Sequence, residues 1–392
     1  MMENNRWQSA VTKLLGYVLV AAAASVVTFF LCLGQNGAGQ SKLEQLEMLL
    51  DERFIGEADI AQIENAAADA MVNALGDRWS YYMSAEEYTA YLEQMNNAYV
   101  GIGVTITVLE DETGFLINKV EPGSAAQEVG LLAGDVITGV EGKTVAELGI
   151  SGAKGLIRGK EGTQVKITVL RDGETTQYTL TRKTIQVTVA TGQMLEDKIG
   201  LVTIKNFDSR CAEETIAAVE ALLEQGTEAL IFDVRNNPGG YKNELVKLLD
   251  YLLPEGELFR SQDYTGRESV DTSDAACLKM PMAVLVNGDS YSAAEFFAAA
   301  LSEYGWATVI GQQTCGKGYF QQTYQLKDGS AVALSVGRYF TPKGVSLAEV
   351  GGLEPDIPVE VDAETAAKIY AGILEPKDDP QILAAVESLK GK

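Results

Sequence analysis

Three short apolar runs constrain this chain more than any other feature: IGLVTI at 199–204, ALIFDV at 229–234 and AVLVN at 283–287. Each has the length of a strand and leads into a stretch of helical character. After the first, Ile216, Val219 and Leu223 fall on one helical face; after the second, a helix is expected near 241–252; after the third, one begins near Ser292. Strands that are apolar on both faces and alternate with helices belong in a largely parallel sheet covered on both sides. The spacing therefore predicts an α/β core over residues 186–360, followed by an acidic helical tail at 361–392.

The chain ahead of this core changes character twice. Over 99–185, strand-like runs such as VGIGVTITVL and QVKITVL alternate with turn signals at Pro122–Gly123, Gly134–Asp135, Glu141–Gly142 and Asp172–Gly173, which predicts one small β-rich module. Residues 41–98 read as helical, with Leu43, Leu46 and Leu50, then Ile63, Ala67 and Met71, at helical spacing. Such helices could form a dimerisation arm, giving a homodimer, or a cap on the core. Residues 1–40 hold the uncharged run Leu14–Leu33, which at about twenty residues can span a bilayer as a helix. Arg6 and Lys13 precede it, so the N-terminus is expected in the cytoplasm and the rest outside the cell membrane, after a short linker. A cleaved signal peptide fits less well, because LCLGQNGAG is a poor cleavage site.

Composition removes several functional classes. With 392 residues, 46% hydrophobic and 22% charged, the chain can bury two or three cores. A net charge of −24 argues against a nucleic-acid partner, because phosphate backbones need a basic face. There is no histidine. Ser-His-Asp and Cys-His catalysis are thereby excluded, as is any zinc site that needs imidazole. A hydrolase built from this sequence must draw its general base from lysine, a carboxylate or tyrosine. Cys32, Cys211, Cys277 and Cys315 have neither zinc-site nor redox-pair spacing and are expected to be free thiols.

Three segments could carry chemistry. In VNGDSYSAAEFFAAAL (286–301) a buried strand ends in a turn and Ser292 opens a helix, where unpaired amides and the dipole favour developing negative charge. Ser292 and Glu295 also form a capping-box pattern, the commoner use of such a serine. In GQQTCGKGYFQQ (311–322), Lys317 stands between two glycines. Buried, its amine would be neutral and able to take a proton from serine; exposed, it is an ordinary turn lysine. DVRNNPGGY (233–241) could make an anion-binding nest from the amides of Gly239 and Gly240, or be a plain strand-to-helix turn.

Taken together, NNPGG, then S-x-S-A-A-E, then GKG resemble the carboxy-terminal processing peptidases, or tail-specific proteases. The resemblance runs from about residue 45 to 385 and includes LGDRWSYYM (75–83), GLEPDIPV (352–359) and DPQILAAVESL (379–389). It implies a crotonase/ClpP-like catalytic core in which the second serine is the nucleophile and the lysine follows 25 positions later. Ser292 and Lys317 meet that spacing (317 − 292 = 25). Gln321 would orient the lysine, and the oxyanion amides would come from Gly239 or Gly240 and from Ala293. The β-rich module resembles the family's PDZ domain, with Gly101, Ile102 and Gly103 holding a ligand's terminal carboxylate and Val104 opening the strand that receives the peptide. Arg158 would then link tail binding to the NPGG turn. The resemblance thus implies a serine endopeptidase acting on protein or peptide substrates with free apolar C-termini, without metal or organic cofactor. Tyr291 departs from the family in standing where a small residue is usual, Phe296 follows the Glu, and Cys315 replaces a common aromatic. The rival readings are a catalytically inactive PDZ scaffold that tethers tails and, on the broad fold alone, a crotonase-type acyl-CoA enzyme.

Overall fold

A computed structural model describes residues 41–390, so the expected transmembrane run Leu14–Leu33 lies outside the described residues. Among the described residues no helix is long and apolar enough to cross a membrane. The chain forms two units, one ending at Leu75 and one starting at Gly76. The first contains the helices Lys42–Arg53 and Ile60–Asn73, capped at their N-termini by the side chains of Ser41 and Asp59. Neither helix buries a residue, and Leu43, Leu46, Leu49 and Met71 remain exposed.

The expected helical segment 41–98 therefore divides. Its second part belongs to the larger unit: Tyr81–Met83 is a strand paired antiparallel with Ala331–Ala333, and Ala85–Met95 is a helix with a full capping box from Ser84 and Glu87.

The catalytic-core segment is α/β, as the apolar runs require. Ile199–Ile204, Ala229–Asp233, Met282–Val286 and Ala307–Gly311 lie side by side and parallel, with Ile357–Pro358 extending one edge and Ala190–Met194 closing the other antiparallel. One face packs on the helices Cys211–Glu224, Lys242–Leu252 and Ala293–Glu303 around Phe207, Phe232, Leu248 and Phe297. The other face is covered by Pro380–Leu389, which buries Ile382, Ala385 and Leu389 against Ile231, Ala283 and Leu285. The acidic tail is thus a structural half of the core. It is tied there by Arg235, whose buried guanidinium contacts Asp233 at 2.6 Å, Asp379 at 2.8 Å and Gln381 at 2.9 Å. A second sheet sets Ala331–Phe340 between Tyr81–Met83 and the hairpin Gly256–Asp263/Glu268–Ser273, with Tyr319–Gln325 also paired to it.

Residues 99–185 fold into the expected β-rich module around Phe115, Ile117, Ile137, Val165 and Leu180. Val104–Val108 is its edge strand, which leaves one side of that strand unpaired within the sheet. The helix Val145–Ile157 lies beside it and bends at Gly149, whose φ of 68° suits glycine. Arg182 holds the end of that helix by donating to the carbonyls of Ile157 at 3.0 Å and Leu156 at 2.6 Å.

Candidate active site

Two neighbouring parallel strands, Ala229–Asp233 and Met282–Val286, deliver the two expected turns to one end of the sheet. The turns are stitched together by reciprocal bonds: Asn236 N–H donates to Asn287 Oδ1 at 2.9 Å, and Asn287 Nδ2 donates to Asn236 Oδ1 at 2.8 Å. Tyr291 N–H donates to the Asn237 carbonyl at 3.1 Å. Gly239 has a φ of 88°, and a Cβ there would stand 2.8 Å from Ser292 Cβ and 2.9 Å from Ala293 N, so only glycine lets the NPGG turn come this close.

The two serines differ in what they do. Ser290 is buried and engaged: its hydroxyl donates to the Val234 carbonyl at 2.7 Å and accepts from Asn287 N–H at 3.0 Å. Ser292 has φ 58° and ψ −125°, a conformation that L-residues adopt only under constraint, and its hydroxyl makes no capping bond. Ser292 is also buried, at 8% exposed, on a strained strand-to-helix turn of the kind that carries the nucleophile in other hydrolases. At this cap Ser292 N–H donates to Glu295 Oε2 at 2.8 Å, and Glu295 N–H donates to the Ser292 carbonyl at 2.9 Å.

Of the expected oxyanion donors, Gly239 N–H is occupied by Asn237 Oδ1 at 2.9 Å. The N–H groups of Gly240 and Ala293 make no hydrogen bond among the described residues. A parallel bridge fixes Gly240 from behind: Phe207 N–H donates to Gly239 O at 2.7 Å, and Tyr241 N–H to Phe207 O at 2.8 Å. The residue after Phe207, Asp208, is only 3% exposed, and its Oδ1 has no hydrogen-bond partner among the described residues. Burial alone pushes its carboxyl up to about 7.

Lys317 reaches the same neighbourhood. Gly316 has φ 81° and backs onto Gly351 and Gly352, so the turn is tight. Glu295, fully buried, is the hub between this turn and the Ser292 turn. Besides Ser292, it accepts from Thr314 Oγ1 at 2.6 Å, Gly316 N–H at 2.7 Å and Lys317 N–H at 2.9 Å. Burial raises its carboxyl above the ordinary range, against four hydrogen bonds that favour the charged form. Desolvation lowers the Lys317 amine below its ordinary value, opposed by the acidic groups around it.

The amine does not sit on the serine. No hydrogen bond joins Lys317 Nζ to Ser292 Oγ among the described residues; Nζ lies 4.7 Å from the Trp79 ring centre and 5.8 Å from that of Tyr291. Nor does Gln321 hold the lysine: its Nε2 donates to Ser335 Oγ at 3.0 Å. Cys211, Cys277 and Cys315 are free thiols, and the Arg78 guanidinium lies 3.7 Å from Cys315 Sγ.

In the β-rich module, Gly101, Ile102, Gly103 and Val104 line a groove of about 560 Å³ between the edge strand and the helix bearing Ser151 and Lys154. The N–H groups of Ile102 and Gly103 make no hydrogen bond among the described residues. Arg158 closes the groove's end and pairs with Glu93 of the helix Ala85–Met95 at 3.2 Å, its side chain 57% exposed.

Sequence comparison agrees with this layout. The profile of peptidase family S41 matches residues 198–359 and that of the PDZ domain matches 100–181. The carboxy-terminal processing protease CtpA of Bacillus subtilis is 31% identical over 357 residues, covering 88% of this chain and 76% of its own. The chain belongs to the carboxy-terminal processing peptidases of family S41. A "Probable CtpA-like serine protease" of Staphylococcus aureus is likewise 31% identical, over 91% of this chain and 73% of its own. A protein of Bacteroides fragilis assigned to the S41 proteases shares the fold, with a TM-score of 0.50 at 17% identity over 82% of this chain and 90% of its own. The S41 peptidase described here is accordingly a serine-type protease with a PDZ domain. Sequence reading passed over three features of its site. Trp79 arrives from a segment more than two hundred residues away in the chain, Glu295 was legible only as a cap, and nothing local marks Asp208 as buried.

Proposed function

We propose that this S41 peptidase is anchored in the cell membrane by Leu14–Leu33 and faces outward, where its PDZ groove captures free, apolar C-terminal tails of protein substrates. Ser292 and Lys317 then cleave the captured chain. The observation that carries the assignment is the contrast between the serines: Ser290 is consumed by the fold, whereas Ser292 sits strained beside the unbonded N–H groups of Gly240 and Ala293.

In this reaction Ser292 Oγ attacks the scissile carbonyl while its proton passes to the neutral Lys317 amine. The N–H groups of Gly240 and Ala293 receive the developing oxyanion. The C–N bond breaks, the leaving amine takes the proton from Lys317, and the acyl-serine ester is hydrolysed by water that the same amine deprotonates. Reaching that state requires Nζ to leave the aromatic rings for the serine and Gln321 to exchange Ser335 for the lysine. Arg158 supplies the link: as a bound tail reseats the PDZ domain, the guanidinium exchanges Glu93 for the NPGG turn. The exposed Leu43, Leu46 and Leu49 support a dimerisation role for the helical arm.

The test incubates the full chain in detergent, and its Ser292→Ala form, with an unfolded protein that ends in an apolar tail. Cleavage by the first and not the second is expected. Equal cleavage by both overturns the nucleophile. Equal cleavage of free-acid and amidated tails overturns tail capture.

A further inference from the structure

Lys317 has neighbours that the reaction outlined above does not use. Its Nζ lies over two aromatic rings, Trp79 at 4.7 Å and Tyr291 at 5.8 Å, whose centres are 6.1 Å apart and inclined at 35°. Arg78 stacks on the same Trp79 ring at 4.2 Å. The charged and titratable groups that face the amine are Cys315, Glu295, Asp77, Arg78 and Tyr291. No ion pair reaches Nζ among the described residues. Glu295 is occupied by its four donors, and Asp77 accepts from Ser80 Oγ at 2.6 Å and Trp79 N–H at 3.2 Å. The lysine is therefore bounded by rings where a buried ammonium would need an acid.

We propose that Trp79 and Tyr291 are positioning residues for catalysis: their rings form a wall that keeps water from the Lys317 amine while it rests beside the Ser292 turn. Two effects of such a wall oppose each other. A ring face attracts an ammonium by about 2 kcal/mol or more when desolvated. Stripping water from an ammonium costs several kcal/mol. Desolvation is the largest influence on this amine, so the wall favours the neutral form, and the Arg78 charge on the same ring adds to that preference.

The proposal rests on Lys317 being the base, and the experiment separates the two ideas. The rate of kcat/KM is measured against pH for the full chain, Tyr291→Ala, Tyr291→Phe, Trp79→Ala and Lys317→Ala. In parallel, the pH dependence of Lys317 acetylation by acetic anhydride is read by mass spectrometry in the Ser292→Ala background. Tyr291→Ala and Trp79→Ala should move the rising limb and the acetylation midpoint together to higher pH. A shift of about half a unit is roughly a threefold loss of neutral amine at pH 7. Tyr291→Phe keeps the ring and should restore the midpoint, which a merely structural role would not require. If Tyr291→Ala fails to fold, Trp79→Ala gives the same reading from the other side of the amine. Unmoved midpoints overturn the wall, and midpoints moving to lower pH show instead that the rings hold a cation. Activity in Lys317→Ala overturns the base itself while the acetylation midpoints still judge the wall.

Discussion

Replacing Asp208 by asparagine should make the protein more stable at pH 8 and leave it nearly unchanged near pH 4. The carboxyl is 3% exposed, one oxygen lacks any partner among the described residues, and burial alone raises it from 3.8 to about 7. A carboxyl raised in the fold binds its proton more tightly there than in the unfolded chain. Stability therefore falls as pH rises, beginning near the unfolded value and ending near the folded one. A difference of about 3 units at 1.36 kcal/mol each gives roughly 4 kcal/mol lost between pH 4 and pH 7, and little further change above. Asparagine carries no titrating group, and near pH 4 it closely matches the protonated acid in shape. The variant should therefore lie within about 1 kcal/mol of the parent at pH 4 and gain about 2–4 kcal/mol over it at pH 8. Urea unfolding of both proteins at pH 4.5, 6 and 8, followed by tryptophan fluorescence, reads the difference directly. A gap between parent and variant that stays constant from pH 4.5 to 8 would refute the reasoning, because it would mean that Asp208 is solvated or paired.

Three further outcomes are expected. Ser292→Ala and Lys317→Ala should each abolish peptide hydrolysis, and the double variant should be no worse, since the two groups act as a unit; titrating product release for all three checks this. Ser290→Ala should stay active but unfold at lower denaturant, losing about 1–3 kcal/mol, because it strands the Val234 carbonyl and the Asn287 amide. Glu295→Gln should lose both activity and stability, because two of the four donors that now converge on the carboxylate would face an amide nitrogen, which cannot accept; rate and chemical unfolding measured on one preparation decide it.

Much of this was legible in the residues alone, and for physical reasons. Strands buried on both faces must be apolar throughout, so IGLVTI, ALIFDV and AVLVN announced the parallel sheet before any pairing was visible. The lack of histidine removed the common hydrolytic sites, while the preference for Ser292 over Ser290 came from the family resemblance, not from the residues by themselves. The β-rich module was equally clear, because its turns are written in Gly, Pro, Asp and Glu.

What only the tertiary structure decided concerns contacts between residues far apart in the chain. The sequence shows an acidic helical tail without saying where it packs; its Ile382, Ala385 and Leu389 close the second face of the sheet, because a parallel sheet needs cover on both sides. Arg158 is a helix-terminal arginine in the sequence; in the fold it pairs with Glu93, 65 positions earlier. Trp79 meets Lys317, and Asp208 lies behind Gly240, through no local pattern. Burial and mutual approach are properties of the packed chain, and they set the ionisation of Lys317, Glu295 and Asp208. Residue type and spacing could name candidate groups; the desolvation that lowers the Lys317 amine arises only when distant segments pack around it.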